Sequence, residues 1–115
     1  MVLDAHIRKV YVPMTETGFY ILLCLRTECC GIDVMAQVEQ MTGGRVTIGP
    51  GTLYNLLDNF RLYGMIEETG SFGRRRSYIL TDRGRQALRE EYERMQKQLL
   101  DYERCMTEQG GEPQC

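Results

Sequence analysis

The stretch Ile48-Gly49-Pro50-Gly51-Thr52-Leu53-Tyr54-Asn55-Leu56-Leu57-Asp58-Asn59-Phe60-Arg61-Leu62-Tyr63-Gly64-Met65-Ile66 decides the fold. It predicts a helix over about residues 50–63 with a marked start, two distinct faces and a marked stop. Proline suits the first helical turn, where its missing N–H costs nothing and its fixed φ is already helical. Gly49 therefore stands at the cap and Pro50 at the first helical position. Leu53, Leu56, Leu57 and Phe60 recur at i, i+3, i+4 and i+7 and share one apolar face. Thr52, Tyr54, Asn55, Asp58, Asn59 and Arg61 make up the other. Gly64 can supply the left-handed residue that ends the helix.

Downstream, Met65 to about Thr69 reads as a strand, Gly70-Ser71-Phe72-Gly73 as a turn, and Arg75–Leu80 as the return strand. Arg74, Arg75 and Arg76 lie at the tip of this hairpin. Upstream, Thr15 is a plausible N-cap for a first helix over about 16–27. Gly18 inside that helix points to a close backbone contact. Cys29-Cys30-Gly31 reads as a connector and about 32–42 as a second helix, ended by Gly43-Gly44. Arg45-Val46-Thr47-Ile48 alternates with β-branched residues and reads as a short strand. Thr81 caps a long last helix over about 82–107. The predicted order is helix, helix, short strand, helix, strand, strand, helix. This is a mainly α chain with a small β-wing, a winged helix-turn-helix followed by a long C-terminal helix. The divisions are an N-terminal arm over 1–14, a DNA-binding domain over 15–80, a dimerisation helix over 81–108 and a flexible tail over 109–115.

In the last helix Leu88, Tyr92, Met95, Leu99, Tyr102 and Met106 are spaced 4, 3, 4, 3 and 4, a heptad-type seam with charged flanks. A helix of ~25 residues is about 38 Å long, more than a small three-helix body can cover. The seam therefore predicts a homodimer, which would place two recognition helices on an inverted-repeat site. Packing of the seam on the chain's own body is the plainer alternative.

With 115 residues, 26% charged and 43% hydrophobic, the chain is bounded to one ordinary globular domain. Its longest apolar run, Phe19–Leu25, is far short of the ~20 residues that span a bilayer, so no membrane association is expected. The start carries no basic region followed by an apolar core, which argues against a secretory signal and makes the cytoplasm the default location. The net charge of −2 is unevenly spread. Residues 74–85 hold five arginines against one aspartate, a local +4, whereas residues 86–115 hold four basic and seven acidic residues, a local −3. Phosphates respond to charge within about a Debye length, ~10 Å at 0.1 M salt, so the local patch outweighs the acidic total. Five cysteines, an odd number with no C-x-x-C, and the single histidine His6 argue against a disulfide framework, a zinc site and any Ser/His/Asp or Cys/His catalytic set. No cofactor is implied.

Thr15-Glu16-Thr17-Gly18-Phe19-Tyr20-Ile21-Leu22-Leu23-Cys24-Leu25, Gly43-Gly44-Arg45-Val46-Thr47-Ile48-Gly49-Pro50-Gly51-Thr52-Leu53-Tyr54 and Tyr78-Ile79-Leu80-Thr81-Asp82-Arg83-Gly84 resemble the PadR family of bacterial transcriptional regulators. The likeness runs from about Tyr11 to Tyr102, and the single C-terminal helix is similar to that of the compact subfamily. The resemblance implies a winged helix-turn-helix, a dimer through the last helix, repression at an inverted repeat, and release by a small aromatic effector. It also implies that Thr52 and Tyr54 face DNA. The chain departs from the family where His-Gly-Tyr commonly follows the first helix and Cys30-Gly31-Ile32 stands here. The family's drug-binding members use a tryptophan in the dimer pore, and this chain has no Trp.

The candidate contacts to double-stranded DNA are Thr52, Tyr54, Asn55, Asn59 and Arg61 on the recognition helix and Arg74, Arg75 and Arg76 on the wing. Hydroxyls and amides bond phosphate oxygens or base edges, and guanidinium groups bond phosphates. Strand alternation sends neighbouring arginines to opposite faces, so all three do not reach one phosphate chain. Arg45 and Lys9 are weaker candidates. Tyr92, Met95, Leu99 and Tyr102 could line an aromatic-binding cavity at the seam, against simple interface packing. Cys29-Cys30 could sense oxidants, against a plain connector role. The competing function is a protein-interaction module that keeps the winged-helix fold without binding an operator.

Overall fold

The computed structural model describes residues 14–73 and 75–108. The expectations for the arm before Met14, His6, Lys9, Arg74 and the tail after Glu108 lie outside those residues. In chain order the elements are α1 (Glu16–Cys24), β1 (Cys29–Cys30), α2 (Gly31–Met41), α3 (Pro50–Leu62), β2 (Ile66–Phe72), β3 (Arg75–Leu80) and α4 (Asp82–Glu108). The fold is a mainly α winged helix with a three-stranded antiparallel sheet, ordered β1-β3-β2.

The ends of the helices follow their sequence signals. The Thr15 side chain accepts the Gly18 N–H at 3.0 Å and starts α1. Gly49 caps α3 with Pro50 in its first turn. Gly64, at φ 76°, turns the chain out of α3 into β2. Thr81 accepts the Gly84 N–H at 3.1 Å at the start of α4. Gly84 is required there by space: a Cβ would stand 2.0 Å from the Met65 carbonyl oxygen, which already accepts the Thr81 N–H. The close contact expected at Gly18 is present, with the Phe60 ring 3.1 Å from where a Cβ would be.

The core is one cluster drawn from every element except the outer part of α4. Ile21, Leu22 and Leu25, Val34 and Val38, and Leu53 and Leu57 are fully buried, with Phe60, Ile66, Tyr78 and Leu80 beside them. At about 1.5–3 kcal/mol for each large apolar side chain, this burial is the main force holding three helices against the sheet.

Three expectations are corrected. First, α1 stops at Cys24 rather than near residue 27. The Leu25 and Arg26 N–H groups bond the Leu22 and Leu23 carbonyls three residues back, which tightens and closes the last turn, and the Leu25 carbonyl beyond it is taken by the Leu80 N–H at 2.9 Å. Second, Cys29-Cys30 is a strand, not a simple connector: Cys29 pairs with Tyr78 and Cys30 with Ser77. Third, Arg45–Ile48 forms no strand. Val46 and Ile48 do point inward, as their alternation suggested, but the free edge of β3 is occupied by β1. The Val46 N–H bonds the Thr42 hydroxyl instead, at 3.1 Å. The wing is also longer than expected. β2 runs through Phe72, with a bulge between Glu68 and Gly70, and the left-handed turn falls at Gly73.

Among the described residues, no helix is long and apolar enough to cross a membrane. Cys24, Cys29 and Cys30 are free thiols, and Cys105 near the end of α4 is disulfide-bonded.

Candidate nucleic-acid interface

The two faces of α3 separate cleanly. Leu53 and Leu57 are 0% exposed and Phe60 1%, and Leu56 packs partly against the same core. Thr52, Tyr54, Asn55, Asp58, Arg61 and Leu62 are exposed, and Asn59 is half-buried. Thr52, Asn55 and Asn59 stand at i, i+3 and i+7, so their hydroxyl and two amides form one polar stripe along the helix. Tyr54 lies to one side of that stripe. Its ring rests on the start of α2, where Gly31 leaves room: a Cβ there would be 3.3 Å from the tyrosine ring and 3.2 Å from Leu57. Tyr54 is therefore both a packing residue and a partly exposed hydroxyl bearer.

Strand alternation sorts the wing arginines as expected. On one face of β3, Arg75 reaches Asp33 of α2 at 3.3 Å. It also comes within hydrogen-bonding reach of the Cys30 sulfur, and this contact, with Asp33 added, pushes the guanidinium pKa up. On the other face Arg76 is exposed and lies beside the Tyr78 hydroxyl. Burial pushes the Tyr78 pKa up and nearby Glu68 adds to it, against the opposing pull of Arg76 and Arg61. Arg61, at the end of α3, pairs with Glu68 of β2 at 3.2 Å. Arg45 is held by the Tyr20 hydroxyl at 2.9 Å and by Glu16 at 3.1 Å.

Sequence reasoning named these arginines but not their carboxylate partners. Asp33, in the first turn of a helix, carried only the ordinary signal of an acidic residue near a positive helix end. Burial pushes the Cys29 pKa up, with Asp33 adding, and burial takes Cys24 to about 11, so both are protonated at neutral pH and serve as packing residues.

Along α4 the predicted seam faces outward. Leu88 and Met95 are half-buried, whereas Tyr92, Leu99, Tyr102 and Met106 are between 51% and 64% exposed. Leu100, outside the heptad positions, is 61% exposed as well. Where α4 leaves the body, Phe19 and Leu23 of α1 face Leu88 and Tyr92 across a cavity of about 490 Å³. Arg26, Arg85 and Arg89 also line it, together with Asp82 and Gln86. One acidic residue of α4 is buried. Glu91 takes two bonds from Arg94, at 2.6 and 3.0 Å, and the Met14 N–H at 3.4 Å. The Arg94 bonds hold its carboxyl below the usual carboxylate range despite burial.

No curated protein matches the chain. Among solved structures, RosR of H. salinarum superposes with a TM-score of 0.64 at 24% identity, over 75% of this chain and 77% of its own. A PadR family transcriptional regulator from Eggerthella lenta DSM 2243 gives 0.63 at 21% identity over 93% of each chain. A transcriptional regulator from Clostridium thermocellum gives 0.65 at 20% identity, over 84% of this chain and 96% of its own. These likenesses concern the fold. The Transcriptional regulator PadR-like family matches residues 21–90, more than half of the sequence, and the chain belongs to that family of regulators rather than to any enzyme class.

Proposed function

We propose that the protein is a cytoplasmic, homodimeric repressor that binds an inverted-repeat operator in double-stranded DNA and is released by a small aromatic effector. The observation that carries the DNA reading is the stripe of Thr52, Asn55 and Asn59 on a helix whose opposite face is locked in the core. A recognition helix must be rigid where it meets the body and polar where it meets base edges, and α3 is both. Arg76, exposed on the neighbouring wing, supplies a phosphate contact. Tyr54, Arg61, Arg74 and Arg75 complete the proposed contact set.

The apolar seam of α4 supports dimerisation, because Leu88, Tyr92, Met95, Leu99, Tyr102 and Met106 run along a helix that extends past the body. The cavity beside Tyr92 supports an effector site. Its lining combines apolar and aromatic side chains with three arginines against one carboxylate, Asp82, which suits an aromatic acid, and its volume is within the ~300–1,000 Å³ usual for small-molecule pockets.

The test is titration of the purified protein onto duplex DNA from immediately upstream of its own gene, at two salt concentrations, with unrelated DNA as competitor. Tight, competitor-resistant, salt-sensitive binding is expected, and Arg76→Ala should lower the salt slope by about 1. A second reading, a protein-interaction module on the same fold, draws on the neutralisation of Arg61 and Arg75 by carboxylates. Binding no better than to unrelated DNA, with no effect of Arg76→Ala, would favour it.

A further inference from the structure

Around α3 and the wing, several arginines are paired with carboxylates in the folded chain. Of the four described arginines around α3 and the wing, three are paired with a carboxylate: Arg45 with Glu16, Arg61 with Glu68 and Arg75 with Asp33, at 3.1 to 3.3 Å. Arg76 alone among the four is not paired with a carboxylate. Two of the carboxylates come from elements next to the proposed contact surface. Glu68 sits on β2 beside the end of α3, and Asp33 sits in the first turn of α2. At that second position a helix N-terminus would otherwise present N–H groups and partial positive charge to a phosphate. Asp33 therefore offsets both the helix end and Arg75.

Resting on the DNA-binding reading, we infer that Asp33 and Glu68 are affinity-limiting residues, which hold back Arg75 and Arg61 from the phosphate backbone and keep sequence-independent binding weak. Exposed ion pairs hold their partners loosely, so a phosphate can displace either carboxylate. The displaced carboxylate nevertheless stays within a Debye length of the phosphate and opposes it. Each one thus removes close to one effective phosphate contact from any complex. Discrimination is left to the neutral stripe of Thr52, Asn55 and Asn59, which reads bases without adding affinity for every duplex.

The experiment uses the full chain and two fluorescent duplexes of equal length, one from upstream of its gene and one of random sequence. Anisotropy is read between about 50 and 200 mM salt, the range in which phosphate contacts dominate the salt dependence. Asp33→Asn and Glu68→Gln keep shape and remove charge at exposed or half-buried positions, so the fold should persist. Each is expected to steepen the salt slope for random DNA by ~0.9, which amounts to about an eightfold gain at 0.1 M relative to a 1 M reference. The gain from Asp33→Asn should shrink when Arg75 is also alanine, because only the direct repulsion between Asp33 and the phosphate then remains to be relieved. Unchanged or weaker binding by the amide variants overturns the inference, since the carboxylates would then be inert or would orient the arginines for contact. A gain of undiminished size in the Arg75→Ala background overturns it too. Should wild type bind neither duplex at low salt while the amide variants bind, restraint is supported in its strongest form. Should none bind, the DNA reading fails along with it, and the wild-type titration alone reveals that.

Discussion

The inner face of α3 and the outer seam of α4 use the same residue types at the same helical spacing, yet they meet opposite surroundings. Leu53, Leu57 and Phe60 are sealed inside the chain's own core. Leu99, Leu100, Tyr102 and Met106 stand in the open on a 27-residue helix about 40 Å long. Periodicity alone reports that a face must be covered, not what covers it. The first face is satisfied by α1, α2 and the sheet. The second outruns the body, since the only residues of α4 that are buried are Gly84 and Glu91. An intrachain core and an interface between copies are thus distinguished by where the chain runs out of partners.

The largest break in this comparison should come from the inner face. Phe60→Ala removes a ring that touches α1 at Gly18 and fills the centre of the cluster. The expected loss is about 3–5 kcal/mol of folding stability, a large share of the ~5–15 kcal/mol typical of a domain. Urea denaturation followed by circular dichroism measures it. A loss below ~1 kcal/mol would mean that α3 is not held as described, and the rigidity of the proposed recognition helix would go with it.

What the sequence disclosed follows the same line between local and distant causes. The start, faces and stop of α3 were legible because proline, apolar spacing and a left-handed glycine all lie within its own residues. The strand Cys29-Cys30 was not legible. Two residues carry no periodicity, and their extended pairing comes from Ser77 and Tyr78 far along the chain. Arg45–Ile48 failed in the opposite sense: the alternation correctly buries Val46 and Ile48, but β3 is already flanked by β1 and β2 and the segment pairs with no strand. At the candidate site, the arginines and the polar stripe could be named from spacing. The partner of Arg75 could not, because Asp33 is 42 positions away and only the fold brings the two together. The buried state of Glu91 was hidden for a similar reason. Most of its neighbours in sequence are charged, and the group from outside α4 that bonds its carboxyl is the Met14 backbone N–H.

The outer seam should behave in the reverse way to the inner face. Leu99→Asp places a charge on a position that is 59% exposed in the single chain. Stability of the isolated chain should therefore change by no more than about 0.5 kcal/mol. Self-association should be lost, because a dimer would have to bury an unpaired carboxylate. Sedimentation velocity is expected to show a monomer, and the melting temperature should lose its dependence on protein concentration. A variant that still sediments as a dimer would mean that copies meet elsewhere, and the seam would need another occupant.

Glu91 sharpens the boundary between the two regions, since no described residue of α4 beyond it is buried. Its carboxyl joins the helix to the Met14 backbone just before the Thr15 cap of α1. The Arg94 bonds, helped by the Met14 N–H, hold its folded-state pKa below the ordinary carboxylate value. A depressed pKa contributes stability that is present above the ordinary value and is lost as pH falls through the folded one. Wild type should accordingly have the higher urea midpoint than Glu91→Gln near neutral pH, and the two should converge as pH falls below the ordinary carboxylate value and through the lower folded one. The effect should be the smallest of the three, because Arg94 is itself solvent-exposed and Gln can still accept the Met14 N–H. Equal midpoints at neutral pH would show that apolar packing at Leu88 and the cavity wall, and not this carboxylate, fixes the point where α4 departs from the body.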